Sequence, residues 1–96
     1  MAVTYPVVWQ LDGETYTGAL ELRQGRVTLT GVDRVLSFCA DSVAHADIER
    51  EPGDRIRGLP VVRVVLREGE ELRIASVGGL GSLNEIAEQL GAFQEA

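Results

Sequence analysis

The stretch SLNEIAEQLGAF, residues 82–93, decides how this chain folds. At about 100° per residue, its apolar side chains fall within roughly a third of a helical wheel, and polar residues fill the remainder. The apolar positions are Leu83, Ile86, Ala87, Leu90 and Phe93. A single apolar stripe must be buried against something, and the segments upstream are strand-like. The sequence therefore predicts a β-sheet or open barrel closed by one C-terminal helix.

The start of this helix is predicted by Ser82 and Glu85, which match the capping box Ser-x-x-Glu. In that motif the serine hydroxyl satisfies a free amide of the first helical turn. The glycine-rich segment 78–81 before it resembles anion-binding loops, but it lacks the lysine and the glycine spacing of a P-loop. We interpret it as a flexible connector between strand and helix.

Length and composition fit one domain over residues 1–96, with a core from about residue 7 to residue 93. A chain of 96 residues can bury roughly 60 to 65% of its surface around a single core. Hydrophobic residues make up 45% and charged residues 25%, as in ordinary soluble globules. The formal net charge is −6, and all nine basic residues are arginine. An acidic protein repels polyanions, so nucleic acid and anionic membranes are not the expected partners.

Cys39 is the only cysteine, so no intramolecular disulfide is possible and a reducing compartment is expected. Residues 1–6 carry no positive charge and no apolar core of signal-peptide length, and no stretch reaches about 18 apolar residues. These features predict a soluble, cytoplasmic protein. No cofactor-binding motif is present in the sequence, and no cofactor is expected.

Seven strands are predicted from alternating apolar residues and from turn dipeptides such as Asp12-Gly13 and Gln24-Gly25. The segment 40–49 is the least certain of them, because alanine, serine and aspartate weaken its strand pattern. The segment 50–58, with Pro52-Gly53 and mixed charge, is predicted to be a loop without buried residues. The predicted strands are 7–11, 14–22, 26–30, 35–39, one within 40–49, 61–67 and 71–77.

Seven such strands followed by one helix resemble the pleckstrin-homology-like superfold, including its small bacterial and GRAM-type variants. The resemblance is one of element order over nearly the whole chain, and no family motif is matched residue by residue. It implies two nearly orthogonal antiparallel sheets that form a partly open barrel, capped by the helix. Trp9 is then a core or rim residue. Members of this superfold bind lipids, bind peptides or act as scaffolds, so the fold alone selects no function.

The resemblance also bears on membrane binding. Pleckstrin domains that bind phosphoinositides place basic residues on and beside the loop between their first two strands. The corresponding loop here, residues 12–14, is short and acidic. Phosphoinositide binding by the usual mode is therefore not expected.

Catalysis would have to rely on Cys39 and His45, with Asp41 or Asp47 to orient the histidine. Nothing around Cys39 resembles a basic pocket or a helix N-terminus that lowers a thiol pKa, and the residue ends an apolar run. We therefore expect a buried, inert cysteine and no enzymatic activity. A metal site made of Asp41, His45 and Asp47 would need an unbroken strand, so no metal is expected either.

The predicted partner-binding residues are Arg63, Val65, Arg67 and Arg73. Strand alternation places them on the outer face of the last hairpin, with Val61 and Ala75 interleaved. A surface that mixes arginine with apolar side chains suits a protein partner. The competing interpretation is a solvated strand face whose charges are balanced by the hairpin glutamates 68, 70 and 71.

The function predicted from these residues is a non-enzymatic, cytoplasmic protein-interaction or scaffolding domain. Its partner is another protein or a second copy of the chain. One alternative is a domain that binds a lipid or small ligand in the barrel mouth, and another is an enzyme of unrecognised type. An interaction domain has a continuous surface, whereas a ligand binder or an enzyme has an enclosed cavity with convergent polar groups.

Overall fold

The chain alternates strands and tight turns from Val3 to Ser76 and then forms one helix. A computed structural model of the protein describes residues 3–49, 56, 58–78 and 80–92. The elements are β1 Val3–Leu11, β2 Glu14–Arg23, β3 Arg26–Thr30, β4 Val35–Cys39, a 3-10 turn Ala40–Ser42, β5 Val43–Glu49, β6 Val61–Leu66, β7 Glu71–Ser76 and α1 Leu80–Ala92.

The seven strands join one antiparallel sheet in the order β4-β3-β2-β1-β7-β6-β5. The sheet curls into a half-barrel, and α1 packs against β5, β6 and β7. The predicted fold class, mainly β with a partly open barrel of seven antiparallel strands and one C-terminal helix, is confirmed. The two sheets implied by the resemblance form one continuous sheet here, because β1 pairs with β2 along one edge and with β7 along the other.

Two-residue turns close the first two hairpins, as predicted. Asp12 and Gly13 have φ of 53° and 82°, and Gln24 and Gly25 have φ of 49° and 75°. Two successive positive φ angles define the turn type whose twist matches that of the flanking antiparallel strands. These turns fix the register of the first three strands.

The strand bounds follow the predicted pattern with local differences. β3 and β4 span the residues expected from the sequence, whereas β1 begins at Val3, four residues before its predicted start. The uncertain segment 40–49 divides into the 3-10 turn and β5, so its strand is confirmed only from Val43 onward. β6 ends at Leu66, one residue before its predicted end.

The inner face of the half-barrel is filled by side chains of the strands and the helix. Trp9 is fully buried there, as expected for a core residue. Its ring stacks on Tyr16 with centroids 4.5 Å apart. Its indole Nε1–H donates to the carbonyl oxygen of Thr30 at 3.0 Å. Trp9 of β1 therefore contacts both β2, through Tyr16, and the end of β3, through Thr30, and its one hydrogen-bond donor has a partner.

The helix buries the predicted stripe but begins earlier than expected. Leu83, Ile86 and Leu90 are buried in the core and Ala87 packs against it, while Phe93 lies outside the described residues. Ser82 is the third helical residue and not the N-cap, so the capping-box prediction is wrong. The reason is that the two residues before Ser82 are already helical. Within the described chain, no helix is both long enough and apolar enough to cross a membrane.

A second, smaller apolar cluster lies on the outer face of the sheet. Ile56 and Leu59 pack there over Val8, Val61 and Ala75. Ile56 is buried, so the prediction that the loop 50–58 buries nothing is wrong at this position. Two valines and an alanine on the outer face of the sheet would expose apolar area to solvent, and these two loop residues bury it. The rest of that loop, including Arg55 and Arg57, lies outside the described residues apart from Gly58.

Candidate functional site

Strand alternation places Arg63 and Val65 on the outer face of β6. The even-numbered residues 62–66 are buried in the core, so the residues between them point to the opposite side. Arg73 lies on the outer face of β7, directly opposite Arg63 in the β6–β7 pairing. The structure thus brings together three of the four residues predicted to bind a partner.

Glu71 holds the two arginines in place. Its carboxylate accepts hydrogen bonds from Arg63 Nε at 2.7 Å and from Arg63 Nη2 at 3.4 Å. Arg73 Nε lies 3.8 Å from the same carboxylate. Two guanidinium groups thus lie against one carboxylate, in a chain whose net charge is −6. We call the surface formed by Arg63, Val65, Glu71 and Arg73 the arginine face.

The edge strand β5 borders the arginine face with polar residues. Asp47 lies opposite Arg63 in the β5–β6 pairing, and His45 lies opposite Val65. The two β5 side chains are exposed and bind each other through His45 Nε2 and Asp47 Oδ2. Val65 is thus surrounded by charged neighbours while its own side chain is half-buried.

On its other side the arginine face continues into a groove of about 250 Å³. Glu71 and Arg73 form one wall of this groove, and the turn Asp12-Gly13 forms the other. Asp12 adds a carboxylate at the far wall, so the groove carries both signs of charge. The site is therefore an open surface with a shallow depression, and a protruding side chain of a partner fits such a shape better than an enclosed small molecule does.

The apolar part of the site is smaller than the sequence predicted. Val61 and Ala75 were expected on the exposed outer face beside the arginines, but both are fully buried. Ile56 and Leu59 cover them. No local pattern indicates that Ile56 packs on the sheet, because a single isoleucine among charged residues has no periodicity. Val65 is the apolar residue that remains at the arginine face.

Arg67 is set apart from the arginine face. It follows the last residue of β6, and its Nε donates to the carbonyl oxygen of Asp41 at 2.8 Å. Its backbone N–H donates to the carbonyl oxygen of Ser42, also at 2.8 Å. Arg67 thereby fastens the 3-10 turn to the β6–β7 hairpin. Its guanidinium has a structural use, which the strand pattern alone did not indicate.

Glu71 is the residue of the arginine face that the sequence interpretation undervalued. The sequence alone indicates only that it is one of three hairpin glutamates that balance charge. Strand alternation contained the missing signal, because Glu71 and Arg73 are two residues apart on β7 and must share a face. In the β6–β7 register Glu71 then sits opposite Val65, one step from Arg63.

Cys39 is exposed, so the prediction of a buried cysteine is wrong. β4 buries Phe38 on the inner face, and alternation turns the next residue outward. The Cys39 Sγ lies 3.9 Å from Arg26 Nη1. His45, its conceivable catalytic base, is instead engaged with Asp47 on β5. The structure therefore gives these two residues different partners.

Asp41, His45 and Asp47 do not converge on one point. Asp41 lies in the 3-10 turn, before β5 begins at Val43. Across the described part of the chain, no group of three or more histidine, cysteine, aspartate or glutamate side chains is arranged to hold a metal ion. The inner face of the half-barrel is occupied by the buried core, which leaves the surface grooves as places for a ligand.

The arginine face thus combines two arginines, their shared glutamate and a half-buried valine. No protein-family model and no curated protein matches this sequence.

Proposed function

We propose that this protein is a non-enzymatic protein-interaction or scaffolding domain that binds its partner on the arginine face. The observation that carries the proposal is the pair Arg63 and Arg73, held side by side across two strands by Glu71. Guanidinium groups that are already ordered lose less conformational entropy when a partner binds. Arginine is also among the residues most enriched at the centre of protein interfaces.

The charge of the face indicates what kind of partner it suits. The two guanidinium groups lie side by side in an otherwise acidic protein, so they are the part of this surface to which an acidic segment of a partner can bind. Val65 supplies apolar area next to the two guanidinium groups. The groove beyond Arg73 accommodates a side chain of the same partner.

The proposal extends to fold family and location. A half-barrel with a C-terminal helix has the element order of the pleckstrin-homology-like superfold, and we place the protein there. In that superfold a domain without a basic first loop suits protein binding better than phosphoinositide binding, and the first turn here is Asp12-Gly13. A free, exposed thiol at Cys39 suits a reducing compartment, which favours the cytoplasm.

The test compares two double variants that change the charge equally. Val65→Asp with Arg73→Glu alters the arginine face, and Thr17→Asp with Arg23→Glu alters exposed positions on β2. Each tagged protein is used to capture partners from the native host, and the captured proteins are quantified. We expect the arginine-face variant to lose the partner that the parent and the β2 variant retain.

Thermal melting of both variants separates loss of binding from loss of folding. If the folded arginine-face variant retains the same proteins in the same amounts as the parent, the arginine face is not the binding surface. A partner lost equally from both variants would indicate a general effect of added negative charge, and it would also contradict the proposal.

A further inference from the structure

β4 is an edge strand, and its outward backbone groups can be identified from two hydrogen bonds. Ala40 N–H donates to the Gly25 carbonyl at 2.7 Å, and Gly31 N–H donates to the Arg34 carbonyl at 2.7 Å. In an antiparallel ladder, hydrogen-bonded and non-hydrogen-bonded pairs alternate. In the β3–β4 register, the backbone N–H and C=O groups of three β4 residues therefore point away from β3. These residues are Val35, Ser37 and Cys39.

Among the described residues, β4 ends the sheet, and nothing in its sequence protects that edge. Natural edge strands are usually guarded by charged residues, proline or a bulge. β4 reads Val-Leu-Ser-Phe-Cys and pairs regularly with β3 along its whole length. Val35, its first residue, is 66% exposed, and Val32, in the bend before the strand, is 87% exposed. A regular strand with free backbone groups and exposed valines is a template for another strand.

The two ends of this edge differ in charge. A groove of about 290 Å³ runs beside β4, and its far wall near the Cys39 end is formed by Leu66, Glu68 and Glu70. The opposite end begins with Arg34 and the exposed Val35. Arg26 also lines this groove and Asp33 precedes Arg34, so the Cys39 end carries one carboxylate in excess while the charges at the Arg34 end balance. Antiparallel pairing of two copies brings the carboxylate in excess of each copy toward Arg34 of the other.

We propose that β4 pairs with β4 of a second copy of this chain, antiparallel and centred on Ser37. At the centre, the backbone N–H and C=O of Ser37 face outward in each copy. The two Ser37 residues can therefore exchange both backbone hydrogen bonds. In this register Val35 lies opposite Cys39 of the second copy, and Arg34 approaches Glu68 and Glu70 of that copy. The two seven-stranded sheets become continuous, and every outward N–H and C=O of the three edge residues gains a partner.

This inference uses a surface different from the arginine face and does not depend on it. Self-association through β4 does not involve the arginine face, so the dimer carries two arginine faces. A single chain that binds one partner would then become a bivalent scaffold.

Chemical cross-linking tests the register directly. The variant Val35→Cys retains Cys39, and a short bis-maleimide reagent is added to the folded protein. We expect a covalent species of twice the monomer mass. The matched control Val35→Cys with Cys39→Ser should lose it, because position 35 faces position 39 and not itself. In the parent, the two Cys39 thiols are four residues out of register, roughly 13 Å apart along the strand, so the short reagent should not join them.

Sedimentation equilibrium tests the edge itself. Val35→Lys places a charge on the pairing edge, where it must be desolvated, and should weaken the dimer by about tenfold or more. The control Val77→Lys changes a valine that is 57% exposed but lies beyond β7, and should leave the mass unchanged. Urea unfolding verifies that both variants are folded.

The outcomes separate the possible occupants of the edge. A parent that sediments as a monomer at every accessible concentration overturns self-pairing, and the edge is then open to a strand of another protein. A dimer that survives Val35→Lys and gives no cross-link in Val35→Cys overturns β4 as the interface. Loss of the dimer with unchanged capture at the arginine face would leave the proposed function intact.

Discussion

Gly18 has a role that follows from its lack of a side chain. A Cβ at this position would overlap the carbonyl oxygen of Thr30, and the next nearest atom is the Thr30 carbonyl carbon at 2.7 Å. The same oxygen accepts the hydrogen bond from Trp9. The end of β3 thus crosses closely over β2, and glycine permits the approach of the two backbones. This crossing positions the tryptophan around which the first three strands pack.

Replacement of Gly18 by alanine should therefore be severe. We expect Gly18→Ala to lower the free energy of unfolding by about 3 kcal/mol, because the added methyl group meets backbone and not a movable side chain. The control Thr17→Ala, at an exposed neighbouring position, should cost less than about 1 kcal/mol. Urea unfolding gives both values. Equal midpoints for the two variants would show that β3 does not cross β2 as described.

Tyr5 couples the sheet to the helix through its hydroxyl. Burial raises the pKa of Tyr5, and the negative charge of Glu85 and a hydrogen bond to that residue raise this pKa further. The side chain is 8% exposed. Because the pKa is higher in the folded state than in the unfolded chain, the folded protein holds the phenolic proton more tightly. The corresponding stabilisation is present below the ordinary tyrosine pKa of about 10 and is lost as the pH rises through the folded value.

The variant Tyr5→Phe should make stability less sensitive to alkaline pH. We expect a smaller drop in the urea midpoint between about pH 9 and pH 11 than in the parent, because the variant lacks the tyrosine whose pKa is raised in the folded state. Glu85→Gln removes the charge but leaves the burial, so its drop should be intermediate. If Tyr5→Phe and the parent decline equally, burial of Tyr5 is not a source of the alkaline sensitivity.

At the scale of elements, turns and alternation made most of the fold predictable. Asp12-Gly13 and Gln24-Gly25 determine hairpin turns by themselves, and β3 and β4 appear with their predicted bounds. Cys39 was misplaced because a short apolar run does not reveal that its strand is an edge with one face in solvent. The burial of Ile56 depends on a contact between distant parts of the chain, which no local pattern contains.

The candidate site was predictable to the same extent and for the same reason. Alternation along β6 placed Arg63 and Val65 on one face, and the structure agrees. The separation of Arg67 depends on where β6 ends and on its bond to the carbonyl of Asp41, 26 residues away. Side-chain partners at such sequence distances are set by the tertiary fold, not by local pattern.

The helix is the element whose contribution can be measured most simply. Leu90 is fully buried in the last helical turns, among residues of the main core. We expect Leu90→Ala to cost about 2 to 5 kcal/mol through lost apolar contact and the cavity left behind. Glu88→Ala, on the exposed side of the same helix, should stay within about 0.5 kcal/mol. An unchanged midpoint for Leu90→Ala would mean that the helix does not pack on the half-barrel.

For the whole molecule, charge and topology act together. The chain carries nine basic and fifteen acidic residues, so its average field is repulsive to anions. Against that average, the sheet gathers two arginines around one glutamate on its outer face. The half-barrel also leaves β4 and β5 as separate edges, at opposite ends of the strand order. The outer face and the open edge are therefore the two separate surfaces on which the proposed contacts with a partner and with a second copy depend.

The same charge distribution leads to a negative result with membranes. Vesicles containing phosphoinositides at physiological salt should not sediment the protein, because the net charge is −6 and the first turn carries Asp12. The two arginines of the arginine face do not overcome that repulsion, because they lie among Glu71, Asp47 and Asp12 and each basic residue near an anionic surface contributes only about 1 kcal/mol. Arg73→Glu serves as the control, and it should sediment no less than the parent. Salt-sensitive sedimentation of the parent that Arg73→Glu abolishes would instead make the arginine face a lipid-binding surface.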